Sequence, residues 1–83
     1  MSRFIYQLAI MVKKAKEKIR INRIKAVLAE KDMTQKELAK RVGLVPNSIT
    51  RICNNESQPS LLMLLKISKA LDVDIRLLLI ATK

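Results

Sequence analysis

The 83-residue sequence has no histidine and no tryptophan, one cysteine, one glycine, two prolines and two aromatic side chains. Without histidine there is no imidazole for acid–base work or for a metal. A single thiol, Cys53, excludes an internal disulfide and a multi-thiolate zinc site, and fits a reducing compartment. No nucleophile is arranged with a base. The chain is therefore read as a non-enzyme with no cofactor and no small-molecule ligand. Phe4 and Tyr6 are the only aromatics, so residues 7–83 offer no platform on which single-stranded bases could stack. No apolar run reaches the roughly 20 residues that cross a bilayer. Phe4–Val12 is nine residues long and leads straight into Lys13-Lys14, without the small-residue cleavage site of a signal peptide.

Acid is also scarce. Seven Asp+Glu stand against seventeen Lys+Arg, a net charge of +10. That excess points to a polyanion, and the missing aromatics favour duplex nucleic acid over single strands. The charge is uneven: residues 1–25 carry eight basic side chains and one acid, whereas residues 26–59 carry five and four. The organisation read from this is a basic and apolar extension (1–21), a folded module (22–80) and a short tail (81–83). One modest core is all that such a length builds, which leaves no room for a separate sensor domain. In the extension, Ile5, Leu8, Val12, Ala15 and Ile19 follow helical spacing. A strand over Phe4–Val12 and an arm along a polyanion stay open, and Met11 is a candidate alternative start. A basic helix lying on a membrane surface is the weakest reading, and no membrane partner is expected.

From Asn22 onward the punctuation predicts five short helices, a compact all-α bundle. Asn22 is a candidate cap for a helix over 22–31. Thr34-Gln35-Lys36-Glu37 reads as a capping box opening a helix over 34–41, and Gly43 supplies its left-handed end. Pro46 suits the first position of a third helix, 46–54, with Asn54-Asn55 as its exit. Ser60 caps a fourth over 61–71, and Asp74 a fifth over 75–80. On a helical wheel Ile49, Ile52 and Cys53 fall on one side of the third helix, with Pro46, Asn47, Thr50, Arg51 and Asn54 on the other.

Gln35, Ala39, Gly43 and Ile49 have the spacing of a helix-turn-helix: a small residue at the crossing, a glycine in the turn and an apolar peg. The stretch Thr34–Gly43, with Ile49-Thr50-Arg51-Ile52 and Pro59-Ser60, resembles the Cro/CI-type (XRE-family) helix-turn-helix of small bacterial and phage regulators. The resemblance covers residues 22–80. It implies a cytoplasmic regulator that binds double-stranded DNA as a homodimer and represses by occupancy. On that reading Asn47, Thr50 and Arg51 meet bases, since Asn pairs with adenine and Arg with guanine. Gln35, Lys36, Lys40, Asn54, Ser57 and Gln58 meet phosphates. The sequence departs from the resembling proteins by Leu28 and Cys53, where many carry an Arg–Glu pair, by Val45 at the usual Ser/Thr cap, and by Asp72 in place of glycine. Leu61–Leu65 and Leu77–Ile80 are apolar nearly all round. Leu62, Met63, Leu79 and Ile80 are therefore expected to pack against a second subunit, against Phe4–Val12, or both. The alternative reading is an antitoxin that binds a toxin protein through this surface and regulates its own operon.

Overall fold

Each helix begins and ends where its local chemistry dictates. In the computed structural model, which describes residues 19–83, α1 spans Ile24–Glu30, α2 Gln35–Val42, α3 Pro46–Cys53 and α4 Leu61–Leu71, followed by a 3₁₀ turn, Ile75–Leu78. The readings made for residues 4–18, including Phe4–Val12 and Met11, lie outside the described residues. The Thr34 hydroxyl accepts the Glu37 amide at 3.1 Å, and the Ser60 hydroxyl accepts the Met63 amide at 3.1 Å. α2 stops at Gly43, whose φ of +77° is open to glycine at no steric cost. Asp32, Asn55 and Asp72 take the same left-handed conformation at three other helix exits. Asp and Asn tolerate it better than most residues, which is how Asp72 replaces the glycine. Val45 provides no side-chain cap for α3, as its lack of an acceptor requires.

Three expectations are corrected. The N-cap position of α1 is Arg23 rather than Asn22; Asn22, one residue earlier, bridges to Leu79, and its Oδ1 accepts the Ile24 amide that opens the helix at 3.2 Å. The capping box of α2 is half formed, because the Glu37 carboxylate accepts from Arg41 at 3.0 Å, one turn on, rather than returning to the cap. The fifth helix is the four-residue 3₁₀ turn, and it stops at Leu78. The cause is competition for backbone groups. The Leu78 carbonyl accepts from Arg23 N–H at 2.9 Å, and Ile80 N–H donates to the Ile21 carbonyl at 2.8 Å. Residues 78–80 are thereby drawn into extended pairing with 21–23 and cannot continue a helix.

The apolar periodicity then closes the bundle. Ile24, Leu38, Ile49, Ile67 and Leu78 have no exposed surface, and each comes from a different element. Burying an aliphatic side chain of this size contributes about 1.5–3 kcal/mol. α2 packs most extensively on α3 and next on α4. Ala39 lies buried in α2, where a small side chain permits that approach. Leu28 and Cys53 are both in the core, so apolar contact stands where resembling proteins place an ion pair.

Candidate nucleic-acid interface

α3 is built as a two-sided cylinder. Ile49, Ile52 and Cys53 are buried, while Pro46, Asn47, Thr50 and Arg51 are exposed. Neither the Asn47 nor the Arg51 side chain has a hydrogen-bond partner among the described residues, so both present unused donors. Asn47 also keeps its acceptor.

The N-terminus of α2 lies against this face. The Thr50 hydroxyl sits 2.8 Å from Gln35 Oε1 and 3.1 Å from the Pro46 carbonyl, so its proton is directed to protein acceptors. Gln35, half-buried, therefore has its amide oxygen turned toward α3, and its amide nitrogen keeps two donors. Lys36 and Lys40, one turn apart and both exposed, line a concavity of about 460 Å³ with Leu44 and Pro46 at the start of α3. Asn47, Thr50, Arg51, Gln35, Lys36 and Lys40 thus belong to two adjoining elements.

The loop after α3 is braced by its own hydrogen bonds. Asn54 and Ser57 are half-buried at the helix exit. The N–H groups of Glu56 and Ser57 both turn back to the Arg51 carbonyl, at 2.9 and 3.3 Å. The Gln58 amide is occupied inward: Oε1 accepts from Asn22 Nδ2 at 2.9 Å, and Nε2 donates to Asn55 Oδ1 at 3.0 Å. Asn55, which sequence reasoning passes over, organises this loop. Its Oδ1 accepts from the Ile21 and Asn22 amides at 2.9 and 3.0 Å, and its Nδ2 donates to the Asn22 carbonyl at 3.1 Å. The Asn54-Asn55 pair signals a left-handed exit, but no local signal reports a contact 33 residues away.

Electrostatics at the site are those of exposed cations. The Cys53 thiol is pushed up from its ordinary value of 9.0 by burial, an effect that the nearby Lys25 charge partly opposes. Away from the face, Arg76 holds the Asp74 carboxyl below its ordinary range through their hydrogen bonds. Among the described residues no group of three or more metal-ligating side chains occurs, and no helix is long and apolar enough to cross a membrane.

Two helices crossing at a small residue, a glycine turn and an exposed polar face on the second helix define a helix-turn-helix module. The family model described as helix-turn-helix matches residues 24–78, and the chain belongs to that family, in the Cro/CI-type form its motifs resemble. Among solved structures, the chain is similar to a Bacteroides fragilis protein with a provisional DNA-binding assignment. The two are 50% identical with a TM-score of 0.72, over 75% of this chain and 100% of that one. A comparison with curated proteins finds no match.

Proposed function

We propose that this chain binds double-stranded DNA in a sequence-dependent manner and regulates transcription by occupying its site, as a cytoplasmic homodimer. The observation that carries the reading is the unpaired Asn47–Arg51 face of α3, which is flanked by Gln35, Lys36 and Lys40. Asn47 and Arg51 read base edges. Thr50, its hydroxyl held by the protein, contributes at most its methyl group. Gln35, Lys36, Lys40, Asn54 and Ser57 meet phosphates and set the register. Gln58 braces the loop through Asn22 and Asn55, and its exposed amide keeps one N–H for the phosphate contact expected of it. Residues 22–80 carry the binding, with 1–21 as an extension and 81–83 as a tail. The provisional assignment of the Bacteroides fragilis protein agrees with this reading.

An exposed apolar surface supports the dimer. Leu61 and Leu62 are 77% and 75% exposed, with Leu65, Leu77, Leu79 and Ile80 also exposed and Met63 half-buried. Such surfaces mark interfaces, and two half-sites about 34 Å apart require two copies. The same surface supports a second reading, the antitoxin.

Selection of bound duplexes from a random pool tests the reading directly, with Asn47→Ala/Arg51→Ala as the partner variant. The expected result is a paired-half-site motif that the variant loses while keeping its helical circular dichroism. No enrichment by the unaltered chain refutes DNA reading. A monomeric mass by sedimentation, together with a stable complex with a toxin protein, would select the second reading.

A further inference from the structure

A second concavity, of about 450 Å³, lies at the other end of α3. Its lining includes Arg20, Arg23, Lys25, Asn54 and Asn55, and contains no acidic side chain. Arg23 is committed elsewhere, to Glu30 at 2.8 Å and the Leu77 carbonyl at 3.1 Å. Arg20 and Lys25 are exposed and have no partner among the described residues. An anion seated in the cavity would meet two cations and no carboxylate from the lining.

Neighbouring bonds fix where these cations stand. Arg20 lies two residues before Asn22, which is buried and tied to Asn55, Gln58 and the Ile52 carbonyl. Lys25 lies in the first turn of α1, near enough for its charge to act on Cys53 in α3. Asn54 both ends α3 and lines the cavity, so the cavity adjoins the exit of α3, with Cys53, Ala26 and Ile80 also in its lining. We infer that this cavity seats a phosphodiester of the bound duplex, with Arg20 and Lys25 as its cationic ligands and Asn54 as a neutral one, extending the footprint beyond α3 along the DNA backbone. The inference rests on the proposed DNA-binding function. It concerns affinity and register only, because phosphates carry no base identity.

The test compares the full chain with Arg20→Ala/Lys25→Ala and with a charge-matched control, Lys66→Ala/Lys69→Ala, which alters a separate basic groove between α2 and α4. Fluorescence anisotropy is read on a selected duplex and a scrambled one across a salt series. Removing one cation that neutralises a phosphate should lower the slope of log K against log salt by about one unit. The expected result is a fall of about two units for Arg20→Ala/Lys25→Ala, with equal weakening on both duplexes. The control should keep the parental slope. An unchanged slope in the cavity variant, or an equal fall in the control, overturns the cavity while leaving DNA binding intact. Absence of duplex binding by the unaltered chain overturns the function and the cavity together. Inorganic phosphate is titrated separately by calorimetry. Saturable uptake there, with the duplex slope unchanged in the variant, would assign the cavity to free phosphate and reject the backbone contact.

Discussion

Replacing Asn55 with alanine should destabilise the whole module although the side chain lies outside the apolar core. Asn55 makes four side-chain hydrogen bonds: three accepted by Oδ1, from Ile21, Asn22 and Gln58, and one donated by Nδ2 to the Asn22 carbonyl. The Ile21 and Gln58 bonds are exposed, so water replaces them at little cost. The two bonds to the Asn22 backbone are part-buried, and each is worth about 1 kcal/mol. Asn55 also holds φ at +57°, where alanine costs about 1 kcal/mol more. The sum is about 3 kcal/mol, or a fall in Tm of roughly 12–24 °C for a domain of this size. Asn55→Gly relieves the backbone part and should lose only about 2 kcal/mol. Urea unfolding followed by circular dichroism measures both. A loss below about 0.5 kcal/mol for Asn55→Ala, or equal losses for the two variants, would show that the clamp does not hold the chain as described.

Three further outcomes follow from named contacts. Thr50→Val, which keeps shape but removes the hydroxyl on Gln35, should weaken duplex binding about fivefold, the equivalent of one hydrogen bond. In a Gln35→Ala background Thr50→Val should change nothing; a full effect there breaks the coupling. Gly43→Ala should cost about 1–2 kcal/mol, wholly from the left-handed backbone, because a Cβ at Gly43 meets nothing within 4 Å. A larger loss in thermal melts would reveal a clash. Burial raises the Cys53 thiol, so the unfolded chain ionises first as pH rises past 9.0. The thiol's contribution to stability should be level below that pH and decline above it, with slow alkylation of the native thiol at neutral pH; rapid native alkylation would contradict the burial.

What is legible in the sequence is local. Thr34, Gly43, Pro46 and Ser60 announce helix ends through their own conformation or bonds within one helical turn, and the two faces of α3 follow from a 100° step. The apolar excess of Leu61–Leu65 exceeds what the core needs, and Leu61 and Leu62 do remain exposed. What escapes the sequence is non-local. Residues 75–80 have helical composition, but Ile80 and Leu78 find partners more than fifty residues away, and those bonds end the turn. Only the fold reveals that the Gln58 amide also bonds Asn22 and Asn55, since neither partner is announced by the polar loop itself. Arg20 and Lys25 stand in the sequence as members of a charge run, and no spacing rule tells which of them converge on the end of α3.

The most informative substitution in this chain concerns how the bundle fixes its packing. Leu28 and Cys53 place apolar groups where resembling proteins carry an ion pair, and such an exchange is neutral or stabilising when volume is kept. It removes a directional constraint between α1 and α3, however, since apolar contact specifies orientation weakly. Asn22 supplies a replacement from just outside α1. It is 3% exposed, donates to the Ile52 carbonyl in α3 at 3.0 Å and accepts the Ile24 amide at 3.2 Å. Among the described residues no buried side-chain polar atom lacks a partner, so this network is fully satisfied and can specify geometry rather than merely cost desolvation. The same network ends at Asn55 and Gln58 in the loop after α3. The orientation of the proposed reading helix and the shape of the loop beside it are therefore held by one set of bonds. Asn22→Leu, which adds apolar volume but severs that set, should disturb the α3 exit and duplex affinity more than the core; a variant that melts lower yet binds as before would separate the two.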